Sequence, residues 1–128
     1  MPSAVCRALI AALCLLLAAF FGFVGWNKAF AAPDDLARYG SWTVYLPQML
    51  GRMVGWTEML CAGALLAGLT RKGRMVATCA ALALLLNQMA AAIVHSLHHE
   101  TAALPQNGVL MALLLGLARL THIQRETL

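Results

Sequence analysis

The sequence predicts an all-α membrane protein: an up-down bundle of four transmembrane helices with a short interfacial helix in the first loop. Three observations lead there. Of the 128 residues, 62% are hydrophobic and only 11% charged, whereas soluble domains carry about 25% charged residues. The apolar residues gather into four long segments, each approaching the ~20 residues that cross ~30 Å of hydrocarbon. The basic residues lie at the ends of those segments, so the formal charge of +4 is not a nucleic-acid footprint. No repeat, low-complexity tract or soluble domain is visible, and residues 1–128 read as one membrane domain.

The first helix spans about Ala4 to Trp26, with no charge from Ala8 to Asn27. A signal peptide competes for the same stretch, because Arg7 makes a basic start and Ala29-Phe30-Ala31 resembles a cleavage site. The apolar run is long for that role, and Lys28 sits just before the site, so a retained helix is the reading. In the loop that follows, Pro33-Asp34-Asp35 is a good helix start. Leu36, Tyr39 and Trp42 recur at helical spacing, which predicts one short interfacial helix with Trp42 and Tyr45 at headgroup level.

The second helix spans about Pro47 to Leu69. Its uncharged stretch, Met59 to Thr70, is only twelve residues and too short to cross. The helix must extend back through Glu58 toward Arg52, which places an acid inside the membrane. A charge there costs several kcal/mol unless paired or wetted, so Glu58 marks a working site by default. The third helix spans Met75 to about His95 and the fourth about Pro105 to Thr121.

Topology follows from the basic residues. Arg7, Arg71, Lys72, Arg74, Arg119 and Arg125 share one side, and Lys28, Arg38 and Arg52 the other. This bias puts both termini in the cytoplasm. At ~1.5 Å rise per residue, Glu58 lies ~16 Å below Pro47, and Asn87 and Gln88 lie ~18 to 20 Å up from Met75. The outer half therefore collects Lys28, Arg52, Glu58, Asn87 and His95, with Asn107 nearby. These five are the candidate pocket residues, with Asn87, Ala91 and His95 along one inward row. Arg52 and Glu58 are six apart, the wrong spacing for a pair on one helix face, so each should pair across helices, with Lys28 or His95. Polar residues also act as glue between helices, and Asn87, Gln88 and Asn107 taken singly fit that role.

Gly51-x-x-x-Gly55, Ala18-x-x-x-Gly22 and Gly108-x-x-x-Ala112-x-x-x-Gly116 are small-residue ridges, read as packing inside the bundle, with homo-oligomer formation second. Cys6, Cys14, Cys61 and Cys79 form no C-x-x-C and read as small buried apolar residues. His95, His98 and His99 at the outer end of the third helix could share a face and hold copper or zinc, with Met49 and Met53 as soft neighbours. Their H-x-x-H-H spacing resembles a histidine box of membrane di-iron enzymes, but those need several boxes, and His122 is on the opposite side.

Taken in order, Gly25-Trp26-Asn27-Lys28, Leu46-Pro47, Arg52-x-x-Gly55-Trp56-x-Glu58 and Asn87-x-x-Ala90 leading to His95 resemble the DoxX-like family of small four-helix integral membrane proteins, over nearly the whole chain. The resemblance implies a multi-pass protein of the bacterial inner (plasma) membrane. Family members include a subunit associated with thiosulfate:quinone oxidoreductase and others linked to oxidative-stress membrane complexes. The implied role is therefore an accessory of a redox complex in the lipid bilayer, with a soluble or membrane redox partner and a quinone as the ligand. Glu58 would then relay protons, and Arg52 or Lys28 would polarise a ligand oxygen. The other class of reading is a non-enzymatic small-solute or metal carrier, or a membrane scaffold.

Overall fold

The computed structural model describes residues 3–127, with side chains from 4 to 124. All regular structure among them is helical. Helix α1, Ser3–Phe30, ends with Lys28 in its last turn, where a cation meets the negative end of the helix dipole. Helix α2, Pro33–Arg38, starts on proline with Asp34 and Asp35 in its first turn. A separate 3-10 turn covers Trp42–Tyr45. Helix α3, Gln48–Leu65, runs into a 3-10 turn, Leu66–Leu69. Helix α4 is Arg74–Leu97 and helix α5 is Leu104–Thr127, joined through a 3-10 turn at Thr101–Ala103.

The first loop departs from the predicted single interfacial helix. Helix α2 stops at Arg38, and Gly40 takes a φ of 72°, a left-handed conformation that glycine adopts without steric cost. The turn redirects the chain, so Leu36 and Trp42 are buried while Tyr39 stays exposed. Trp42 is therefore packed inside the protein.

Ala4–Phe30, Arg74–Leu97 and Thr101–Gln124 are long and apolar enough to cross a membrane. The second predicted span is not among them. Its helix α3 has 18 residues, and Gln48, Arg52, Thr57, Glu58 and three glycines dilute its apolar character. Large apolar side chains such as Leu16, Phe23, Leu60 and Leu86 lie exposed on the helices. Water tolerates only small exposed apolar patches, and these long faces suit lipid.

The core draws on all four long helices: Cys14, Leu17 and Phe21 of α1, Leu65 of α3, Leu84 of α4, and Leu114 and Leu117 of α5. Helices α1 and α3 run in opposite directions, Gly25 beside Gly55 and Gly22 beside Ala62. A Cβ on Gly55 would stand 2.5 Å from the Ala29 nitrogen and 2.6 Å from the Gly25 carbonyl oxygen. The two backbones touch there because neither residue carries a side chain. The Gly108 and Gly116 ridge behaves differently from the packing predicted for it. Nothing lies within 4 Å of a Cβ added at either position, because α5 turns Asn107, Leu110, Leu114, Leu117 and Thr121 inward instead.

Candidate functional site

The close contact of α1 and α3 delivers Lys28 onto Glu58. Lys28 Nζ donates to Glu58 Oε1 at 2.6 Å. Both side chains are deeply buried, 5% and 1% exposed. Asn87 Nδ2, from α4, donates to the same oxygen at 2.8 Å. Arg52 Nη1 donates to the Lys28 backbone carbonyl at 2.9 Å. Four of the five sequence-predicted residues thus form one network across three helices. Arg52 and Glu58 do not pair, as their spacing implied; Lys28 takes the acid, and Arg52 caps the carbonyl end of α1. Glu58 Oε2 has no hydrogen-bond partner.

His95 is placed apart from this network. Its Nδ1 donates to Glu100 Oε1 at 3.0 Å. It meets Lys28 only as a wall of a common cavity of about 300 Å³ between α1, the first loop, α4 and α5. Phe20, Phe23 and Leu110 give that cavity apolar walls, and Lys28, Trp42, Gln88, His95 and Asn107 give it polar ones. Arg52, Glu58 and Asn87 do not line it. The single pocket expected from matching depths is therefore divided. Arg52 and Lys28 border a second, smaller cavity beneath the first loop.

Sequence reasoning left Gln88, Asn107 and Trp42 outside the site. All three are buried, and Gln88 Oε1, Asn107 Nδ2 and Trp42 Nε1 are each without a hydrogen-bond partner among the described residues. The buried row on α4 is Leu84, Gln88, Ala91 and His95, not the one through Asn87. Asn87 sits on the flank and turns to α3. One residue is a ~100° step around a helix, and depth alone does not resolve that step. For Trp42 the only sequence signal was Gly40, whose left-handed turn brings the indole inward.

The three histidines do not assemble as predicted. Helix α4 ends at Leu97, so His98 and His99 leave the face that carries His95. His99 has a φ of 59°. His98 Nδ1 donates to the Val94 carbonyl at 2.9 Å, and its ring stacks on Tyr45 at 3.6 Å. Among the described residues no group of three or more His, Cys, Asp or Glu is arranged to hold a metal ion. Met49 and Met53 are exposed on α3. The corner still has an electrostatic character. Hydrogen bonds from His95 and then Tyr45 hold the Glu100 carboxyl below the ordinary carboxylate range. The bond to Glu100 raises the Tyr45 phenol above its ordinary value.

All four cysteines are free. Cys6 and Cys14 are buried as predicted and Cys61 is half-buried, but Cys79 is exposed on α4.

The larger cavity is lined by a lysine, a tryptophan, two side-chain amides and a histidine beside phenyl and leucyl walls. That pattern suits a ligand with an apolar body and oxygen substituents. No curated protein and no solved structure matches the chain. A family model described as the DoxX-like family matches residues 12–117. With its apolar helices and a family match across most of its length, this chain is a membrane protein belonging to the DoxX-like family.

Proposed function

We propose that the chain is an accessory membrane subunit of a redox complex and holds a quinone-type ligand in the larger cavity. The observation that carries this reading is that three residues lining that cavity, Trp42, Gln88 and Asn107, each keep a buried polar atom (Nε1, Oε1 and Nδ2) without a hydrogen-bond partner among the described residues. A buried polar group without a partner costs about 1–3 kcal/mol, so three around one cavity favour an occupant that pairs with them. The indole and amide N–H groups fit carbonyl oxygens. Lys28, fixed by Glu58, places a positive charge at the cavity wall, where it favours electron density on a ligand oxygen. Glu58 acts on Lys28, and Lys28 on the ligand. A bound quinone would supply electron transfer to and from a partner protein; this chain supplies the slot.

In the same reading α3 is a fourth membrane crossing and the bundle is up-down, in a bacterial inner membrane with both termini cytoplasmic. Two features support this. Helix α3 runs antiparallel to α1, and Arg71, Lys72 and Arg74 cluster at the turn between α3 and α4, as the positive-inside bias requires of a cytoplasmic loop. The test is calorimetric titration of decylubiquinone into protein held in nanodiscs. Trp42→Phe keeps the ring and removes the N–H; Asn107→Leu removes the amide. Each is expected to weaken binding by about fivefold or more, the worth of one hydrogen bond. No saturable binding, or equal affinity in both variants and the parent, refutes the reading.

A further inference from the structure

The smaller cavity has a charge that no acid among the described residues pairs with. It encloses about 240 Å³ between the first loop and the start of α3. Two cations line it, Lys28 and Arg52, and no carboxylate does. The Lys28 charge is answered by Glu58 at 2.6 Å. The Arg52 charge is answered by no acid among the described residues. Its guanidinium spends one N–H on the Lys28 carbonyl, which positions the group without neutralising it. The nearby acids of the loop do not line the cavity: Asp35 pairs with Arg38 at 3.6 Å, and Asp34 is exposed. Helix α3 also begins on this cavity, with Gln48 and Gly51 in its wall. It has no side-chain cap and no acid in its first turn, so the positive end of its dipole adds to the same field.

A half-buried guanidinium of this kind favours an anion that takes two parallel N–H bonds. We propose that the smaller cavity is an oxyanion site for a phosphate-type group, with Arg52 as its principal ligand and Lys28 as a second positive wall. Leu36, Val44 and Leu46 add apolar wall beside the polar Thr43 and Gln48, which accommodates either the phosphate of an anionic lipid entering from the bilayer or a free inorganic oxyanion. The site is distinct from the larger cavity. Trp42, Gln88 and Asn107 do not border it, so its fate and that of the quinone reading are separable.

Two arms test it on the full-length protein. In the first, protein reconstituted in phosphatidylcholine vesicles with or without phosphatidylglycerol is extracted and weighed by native mass spectrometry, which reads retained anionic lipid. In the second, inorganic phosphate is titrated calorimetrically into protein in a non-ionic detergent, with chloride at matched ionic strength as the control. Saturable binding is expected in at least one arm, and the arm that responds identifies the source. Arg52→Gln should weaken it by about tenfold or more, with Arg52→Lys in between. Val44→Glu leaves Arg52 in place but sets a carboxylate on an exposed wall position, and should abolish binding by occupying the guanidinium; it decides the matter should Arg52→Gln fail to fold. Binding in neither arm, or binding unchanged in Val44→Glu and in any folded Arg52→Gln, overturns the proposal.

Discussion

Replacing Glu58 by glutamine should destabilise the protein by about 3–5 kcal/mol, the usual cost of stranding one member of a buried ion pair. Two unit charges 2.6 Å apart attract by about 6 kcal/mol at an effective dielectric near 20. Most of that gain offsets the desolvation of both groups, so the net worth of the pair is small. Removing only the acid is a different perturbation. Lys28 stays 5% exposed, with its desolvation intact and its countercharge replaced by a neutral amide oxygen. Besides that oxygen, the Trp42 ring stands 5.6 Å from its ammonium, and such a contact returns about 0.5–2 kcal/mol. Asn87 can still donate to the amide oxygen of a glutamine, so its hydrogen bond survives. Lys28→Met should cost a similar amount, because Glu58 is then buried with Asn87 alone. The double variant should cost less than the sum of the two by at least about 2 kcal/mol, the signature of groups that act as a unit. The assay is equilibrium unfolding in mixed micelles of increasing SDS content, followed by the fluorescence of Trp26, Trp42 and Trp56. Single costs below about 1 kcal/mol, together with strict additivity, would show that the two charges are solvated independently and would refute the reasoning.

The glycines give a paired prediction in the same unfolding assay. Gly55→Ala drives a Cβ into the backbone of α1 and should cost about 1–3 kcal/mol from overpacking, whereas Gly63→Ala or Gly108→Ala meets open space and should gain about 0.5–1 kcal/mol from helix propensity. The Tyr45–Glu100–His95 corner should respond to acid. Because Glu100 is held below its ordinary range, its contribution is fully present above the ordinary carboxylate value and is lost as pH falls through the depressed folded value. Hydrogen exchange around Thr101–Ala103 should rise over that window in the parent and be insensitive to it in Glu100→Gln. Because Tyr45 is raised, its phenolate band should appear at higher pH than that of a free tyrosine, and return toward the ordinary value in Glu100→Gln.

Some of the site was legible in particular residues. An acid inside an apolar stretch needs a partner, and the structure buries Glu58, 1% exposed, against Lys28. The spacing of Arg52 and Glu58 argued against a pair on one helix face and left Lys28 or His95 as the partner; the structure places Lys28 on the acid and His95 on Glu100. Gln88 and Asn87 show the limit. Both fall at nearly the same depth, yet one borders the cavity and the other turns to α3. Helical phase is set by the packing of neighbouring helices, and the sequence of one helix carries it only weakly when every face is apolar. The histidines show a second limit: their common face required the helix to continue past Leu97, where it stops.

By itself, then, the sequence determined what depends on composition and local spacing. That covers the helical class, the apolar segments, the proline start of α2, the family, and the need for a partner to Glu58. These follow from backbone hydrogen bonding and from the cost of charge in hydrocarbon, both of which act along the chain. Only the tertiary structure decided that Gly25 and Gly55 bring α1 and α3 into backbone contact, that Lys28 stands between two cavities, and that Trp42 turns inward to line one cavity with Gln88 and Asn107. Those outcomes rest on close packing between segments far apart in sequence, where a missing Cβ or a single left-handed glycine moves a side chain from the lipid to the interior.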